Sequence, residues 1–374
     1  MPWPGSLEPP IHITVPAPIV VRTPVLLGIY GGLLTLDYVA FKFQNKLPLG
    51  KVPLRMALMS IHTTIPLVFA SSSVGANLFF IAVPWFYVTY SSVIPVEKYS
   101  FREWLDSLQC LLLDASPEKR WLLATRKIPT LKLSKEEQYE ARIKGVVRIV
   151  RGIGKLIIMK YLVDPLLPDP LSSVLTLPWL HPTSLLSTLL FGCKAYFFLG
   201  VADIGTGIQQ MSLGVPSIDL FNSPMIASTP REFWSRRWNL YMQRLFHLLI
   251  FSPEQRIVDH HNTKKEDDQN KKKKIDQQIG VNRKLRGLSV FVTSGLYHEV
   301  LMLSLFRETT GENLLFFTLQ GLMVLLEITL REKTGYRQDL SGWKRVIGFA
   351  GTWFNFALTG RIFMAPFLRY FSST

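Results

Sequence analysis

Charge is what this chain is short of. Only 18% of its 374 residues are Asp, Glu, Lys or Arg, against about 25% in soluble proteins, while 48% are hydrophobic and 12% aromatic. That shortfall argues against an ordinary water-facing surface. Two cysteines, Cys110 and Cys193, exclude a disulfide framework and a Cys-rich zinc cluster. His260 and His261 have no further ligands at metal-site spacing, so no metal is expected. The Gly152-Ile-Gly154-Lys155 stretch lacks the spacing of a phosphate loop, and no Gly-x-Ser-x-Gly nucleophile elbow occurs. No internal repeat of fixed period is present, which argues against a two-half transporter. The first 23 residues hold six prolines but no basic region ahead of an apolar core, and do not read as a cleaved signal peptide. The charge that remains is unbalanced, at +15 with a pI near 9.8. A basic total suggests nucleic acid, but long apolar segments have no role in binding it, so no nucleic-acid partner is expected.

Those apolar segments supply the fold class. Runs suited to crossing a bilayer cover residues 24–41, 54–70, 76–93, 185–201, 288–306, 314–330 and 346–368. The expected architecture is all-α, a polytopic transmembrane helical bundle of seven to nine spans with buried or re-entrant helices, one domain over 1–374. Lys42, Lys46, Lys51 and Arg55 follow the first run, no cation follows the second in Ser71 to Asn77, and a dense set from Lys98 to Lys135 follows the third. Positive-inside counting therefore puts the first and third loops in the cytosol. Arg148, Arg151 and Lys155 share one helical face among apolar residues of 145–163, which fits either an interfacial amphipathic helix or a crossing helix facing a polar interior. Leu240 to Phe251 is too short to span and reads as buried or re-entrant. Residues 252–286, with Lys264, Lys265 and the Lys271–Lys274 run, read as a flexible basic cytosolic loop that can also touch anionic headgroups.

Two polar constellations interrupt the apolar pattern. His298, followed by Glu299, lies eleven residues into the run that starts at Gly287, about 17 Å deep at a rise of about 1.5 Å per residue. An ionisable group at that depth is a functional-site hypothesis by default, with a purely structural interhelical hydrogen bond as its rival. The second constellation is Phe233-Trp-Ser-Arg-Arg-Trp-Asn239. Ser228 or Thr229 with Pro230 and Glu232 predicts a helix start just ahead of it, and Phe233, Trp234 and Trp238 are expected to seat that helix at the membrane interface. Arg231, Arg236 and Arg237 suit either headgroups or the phosphates of an anionic substrate. His247 reads as a core histidine or a minor contributor to the site.

Phe233 to Asn239 and Ser294-Gly-Leu-Tyr-His-Glu299 together resemble the two signature segments of wax synthases in the membrane-bound O-acyltransferase superfamily, over roughly Pro216 to Phe306. The resemblance implies transfer of an acyl group from acyl-CoA to the hydroxyl of a lipid alcohol, in the endoplasmic reticulum membrane and without a further cofactor. It places the catalytic His at His298 and the accompanying Asn at Asn239, with Arg236, Arg237, Trp238 and Trp234 as candidate substrate contacts. Arg236-Arg237 stand where sterol and diacylglycerol branches have Asp-Trp, which favours a long-chain alcohol; acetyl transfer to a hydroxylated terpenoid and a proton-coupled transporter are the alternatives. The chemistry agrees with the residues. A hydroxyl is a weak nucleophile that gains from a base, burial disfavours the imidazolium cation, and Asn239 or a backbone N–H can donate to the oxyanion, unless Asn239 only orients groups. Without a nucleophile elbow, direct transfer in a ternary complex is the simpler course. Glu299, about 100 degrees round the helix from His298, is expected to pair with a cation of a neighbouring helix.

Overall fold

The computed structural model describes residues 3–48, 50–110, 112–116, 123, 133–250, 269–334 and 342–373. Helices dominate. They are α1 (Thr23–Lys42), α2 (Lys51–Val68), α3 (Val74–Ser91), α4 (Phe101–Gln109), α5 (Lys135–Ile158), α6 (Pro182–Phe198), α7 (Gly200–Leu213), α8 (Leu240–Ile250), α9 (Gln269–Phe306), α10 (Glu312–Thr334) and α11 (Trp343–Ser373). Among the described residues, five segments are long and apolar enough to cross a membrane: α1, α3, α6 with α7, the Arg283–Phe306 part of α9, and α10. The chain is thus a multi-pass membrane protein. The other two expected spans are also helical. In α2 the apolar stretch is limited to Val52–Val68, and in α11 Thr352, Asn355 and Arg361 interrupt the apolar run and are all buried.

The ambiguous basic stretch faces inward. A capping box at Ser134 and Glu137 starts α5, which packs along α7 with glycine at both close approaches. A Cβ on Gly145 would lie 2.6 Å from the Met211 nitrogen, and one on Gly152 2.6 Å from the Gly200 carbonyl. This approach brings Lys155 Nζ to 2.7 Å and Arg151 Nη2 to 3.1 Å from Asp203, with Arg148 and Arg151 also paired to Asp219. Val146, Val147, Val150 and Ile157 point outward. The polar-interior alternative is therefore the one realised, because two carboxylates from α7 and the segment after it satisfy the cations. Asp203 is buried there, on α7, which follows α6 after a break at Leu199 and ends at Gly214, whose φ of +63° stops the helix.

The expected flexible loop over 252–286 divides. Residues 251–268 lie outside the described residues. From Gln269 the chain is helical and continues unbroken into the His298 segment, giving one helix of 38 residues. Lys and Gln are good helix formers, and extending an existing helix avoids the cost of nucleation, so dense charge here does not force coil. Glu299 corrects a second expectation. Among the described residues it meets no cation; its carboxylate accepts from the Thr309 hydroxyl, Gly311 N–H and Leu314 N–H at the start of α10, where a helix N-terminus favours negative charge. Gly295 lets that helix come close: a Cβ there would fall 2.8 Å from Leu314 Cα. These contacts fix α9 against α10 within one turn of His298. Short strand pairs, Ile13–Thr14 antiparallel to Glu308–Thr309 and Ile19–Val20 parallel to Phe69–Ala70, tie the N-terminal segment across the helix ends.

Candidate active site

The helices enclose a cavity of about 2190 Å³ with an almost wholly apolar lining, and His298 and Asn239 both line it. On α9 the lining residues are Arg283, Arg286, Gly287, Val290, Phe291, Ser294, Tyr297, His298 and Leu301, separated by steps of one and three as one helical face requires. From Arg283 to Leu301 is about 27 Å along the axis at about 1.5 Å per residue, close to the roughly 30 Å of a bilayer core. His298 is therefore about 18 Å from Arg286 and one turn from the far end at Leu301. Val74, Phe79, Phe198 and Val201 line the same cavity while more than two fifths exposed, so it opens sideways between α3 and the α6–α7 segment.

The His298 ring is oriented by its own helix. Nδ1 lies 2.7 Å from the Ser294 carbonyl; a carbonyl only accepts, so Nδ1 carries the proton and the neutral ring presents Nε2 as an unprotonated acceptor. The ring is held between Phe317 of α10 (centroids 4.5 Å apart) and Phe363 of α11 (5.7 Å). It is thus a fixed base in an apolar wall.

Asn239 is placed by unusual backbone. Thr229 caps the Pro230–Glu232 turn, as expected, and Ser228 donates through both its N–H and its hydroxyl to Glu232. The helix then widens into a π turn over Phe233–Arg237, a form that recurs at functional sites. Trp238 is extended and Asn239 is left-handed with φ of +43°, a conformation Asn tolerates better than most residues. Asn239 Oδ1 accepts from Met242 N–H at 3.2 Å and so caps α8. The cap engages the acceptor of the amide and not its Nδ2 donor. α8 is a buried helix, with Leu245 fully enclosed; the side chain of His247 lies outside those described.

The aromatic motif is deeper than an interfacial belt. Phe233 is buried, and Trp234 packs against Phe291, Phe316, Phe317 and Phe356 while its Nε1 donates to Gln320. Gln320 in turn donates to Thr359 and accepts from Asn355, so a buried polar network fixes Trp234, and Phe317 relays its position to the His298 ring. Trp234 and Trp238 both line the cavity. The arginines are distributed differently from the expectation. Arg237 is committed to Glu232 (2.6 Å) and to the Asn222 and Ser223 carbonyls, and neither it nor the exposed Arg236 lines the cavity. Arg231, Arg283 and Arg286 do. Arg283 and Arg286 sit in sequence assigned to a loop; continuing the spacing of Val290, Ser294 and His298 backward by one and two turns was the signal that would have found them.

Residues 217–319, which contain Asn239, His298, Arg231, Arg283 and Arg286, match the Membrane bound O-acyl transferase family. The chain is also similar to a probable long-chain-alcohol O-fatty-acyltransferase 2 from Arabidopsis thaliana, 29% identical over 165 residues, 43% of this chain and 42% of that protein. A long-chain-alcohol O-fatty-acyltransferase from Simmondsia chinensis is 28% identical over 146 residues, 36% of each chain. The alignments thus cover about two fifths or less of the relatives' length. The two polar segments of the chain thus lie on one cavity, and the segment that carries them is similar to the membrane bound O-acyl transferase family and to the long-chain-alcohol O-fatty-acyltransferases.

Proposed function

We propose that the protein is an acyl-CoA-dependent O-acyltransferase that esterifies a long-chain alcohol, with His298 as general base. The observation that carries this reading is the His298 ring, with Nδ1 committed to Ser294 and Nε2 bare, on the wall of a bilayer-length apolar cavity. The alcohol O–H gives its proton to Nε2 as the oxygen attacks the thioester carbon. The resulting oxyanion accepts from Asn239 Nδ2–H or a backbone N–H; collapse breaks the C–S bond, and the thiolate takes the proton back from His298. No further cofactor enters, acyl-CoA being the co-substrate.

Charge and shape divide the cavity between the substrates. Arg231, Arg283 and Arg286 make the polar end suited to the phosphates of acyl-CoA, and about 18 Å of helix separates Arg286 from His298 for the donor's linker. The sideways opening beside Val74, Phe79, Phe198 and Val201 suits entry of an alcohol from the hydrocarbon. At roughly 30 Å³ for each water-sized unit the cavity has room for about 70 of them, enough for two long chains side by side, whereas an acetyl donor leaves most of it unfilled. A cytosolic acyl-CoA pool agrees with the endoplasmic reticulum as the membrane, which tagged protein would locate.

The test incubates membranes containing the protein with labelled acyl-CoA donors of several lengths and a panel of alcohols. Ester from long-chain donors and long-chain alcohols is expected. Ester only from acetyl-CoA and hydroxylated terpenoids contradicts the acceptor assignment, and proton-coupled flux in liposomes without any ester contradicts the enzyme.

A further inference from the structure

On another side of α9 lies a second, smaller cavity of about 140 Å³, walled by His62, Thr63 and Pro66 of α2, Trp85 of α3, and Thr293 and Tyr297 of α9. His62 is 2% exposed, and its Nε2 lies 2.8 Å from Oδ2 of Asp37, itself 1% exposed, on α1. The carboxylate takes up Nε2, which leaves Nδ1 as the ring's second hydrogen-bonding atom. Nδ1 is buried and has no partner among the described residues. A buried polar atom in apolar surroundings is disfavoured unless something hydrogen-bonds to it. The Thr293 and Tyr297 hydroxyls, one turn apart on α9, bring further donors and acceptors to the same space. Nothing in the acyl-transfer scheme uses this histidine, which lies outside residues 217–319.

We propose that this cavity is a binding site for a compact, neutral hydroxyl compound, water or a short-chain alcohol, whose hydroxyl hydrogen-bonds with His62 Nδ1 and with Thr293 or Tyr297. The size selects the class. At roughly 30 Å³ per water the space holds four or five waters or one short alcohol, and a long chain does not fit. The lining selects neutrality, since among the described residues no cationic side chain lines the space to receive an anion and the Asp37 carboxylate is already paired with His62. Trp85 and Tyr297 line both cavities, with ring centroids 4.9 Å apart. The two cavities therefore share a wall at the residue next to His298.

The test is a high-resolution structure of the full chain in lipid nanodiscs, with and without 1-propanol, and of the Thr293→Leu variant, which fills the cavity from α9 and leaves the Asp37–His62 pair intact. Density within hydrogen-bond distance of His62 Nδ1 is expected in the wild type: compact if the source is water, elongated in propanol if the site takes an alcohol. Thr293→Leu is expected to lose that density while eluting as a monodisperse folded protein with the same Asp37–His62 distance. An empty cavity in both wild-type structures overturns the proposal, as does density that makes no contact with Nδ1 or that persists unchanged in Thr293→Leu. The outcome does not depend on ester formation and can fail separately from the acyltransferase reading.

Discussion

Asp203→Asn is expected to be among the most destabilising single changes available in this bundle. Asp203 is 1% exposed and neutralises Lys155, whose side chain is 9% exposed, at 2.7 Å; Arg151, with 41% of its side chain exposed, also reaches it at 3.1 Å. Removing the carboxylate strands a buried ammonium. Breaking such a pair from one side costs about 3–5 kcal/mol. Arg151 retains Asp219 and can turn toward solvent, so the loss falls mainly on Lys155 and the lower figure, about 3 kcal/mol, is the better expectation. That is a folded-to-unfolded ratio lowered by roughly a hundredfold, at about 1.4 kcal/mol per tenfold. Replacing both members by apolar residues removes the stranded charge, so Lys155→Met with Asp203→Leu should return to within about 1 kcal/mol of the wild type. Glu140→Gln is the control: its partner Lys144 is 3.9 Å away and both side chains are about 70% exposed, so a change below about 0.5 kcal/mol is expected. Unfolding midpoints in mixed detergent micelles, followed by far-UV circular dichroism, give all four values. An Asp203→Asn midpoint equal to that of Glu140→Gln, or a double variant no better than the single one, would refute the reasoning.

The other expectations concern the site and its frame. Asn239→Asp keeps an oxygen for the Met242 N–H cap and removes the amide donor, so stability should stay near wild type while ester formation drops by about 10²-fold or more, the scale for one oxyanion donor; Asn239→Ala should lose about 1 kcal/mol of stability as well. A wild-type rate in Asn239→Asp would reduce this residue to a cap. Arg283→Glu and Arg286→Glu should raise KM for acyl-CoA with less effect on kcat, and the wild-type KM should rise with salt; a KM that neither changes would remove the arginines from the donor site. Burial would raise the Glu232 carboxyl, but hydrogen bonds from Ser228 and the Arg237 guanidinium outweigh it and hold the group below the usual carboxylate range. Its folded value is the lower one, so its contribution is complete above the ordinary value of 4.5 and is lost as pH falls through the folded value. Unfolding midpoints at pH 7, 5 and 4 should therefore fall less steeply in Glu232→Gln than in the wild type, and parallel curves would contradict the pairing.

What could be read from the sequence follows the range of the interactions involved. His298 and Asn239 stand out in the sequence because each is locally anomalous, one an ionisable group in an apolar run and the other the end of an aromatic motif; that they line one cavity is seen only in the fold. The helix start at Thr229 was legible because capping is local chemistry. The inward face of Arg148, Arg151 and Lys155 was only half legible: periodicity places them together, but the partners Asp203 and Asp219 are about 50 to 70 residues away. The partners of Arg237 were hidden for the same reason, since a guanidinium aimed at a phosphate and one clamped on Glu232, Asn222 and Ser223 share a sequence. Glu299 was misjudged because its partners are backbone N–H groups, which no side-chain pattern marks. The helical register from Gln269 onward was hidden by its charge, and Arg283 and Arg286 with it.

The central claim is that His298 Nε2 takes the proton of the attacking alcohol. Its most direct test is the rate of labelled ester formation from a long-chain acyl-CoA and a long-chain alcohol by purified wild type, His298→Ala and His298→Gln, each shown to be folded by its elution profile and unfolding midpoint. The account predicts that both variants lose about 10²- to 10⁴-fold in kcat, the range for a positioned general base, with little change in folding. Ester formation by folded His298→Ala at the wild-type rate would contradict it.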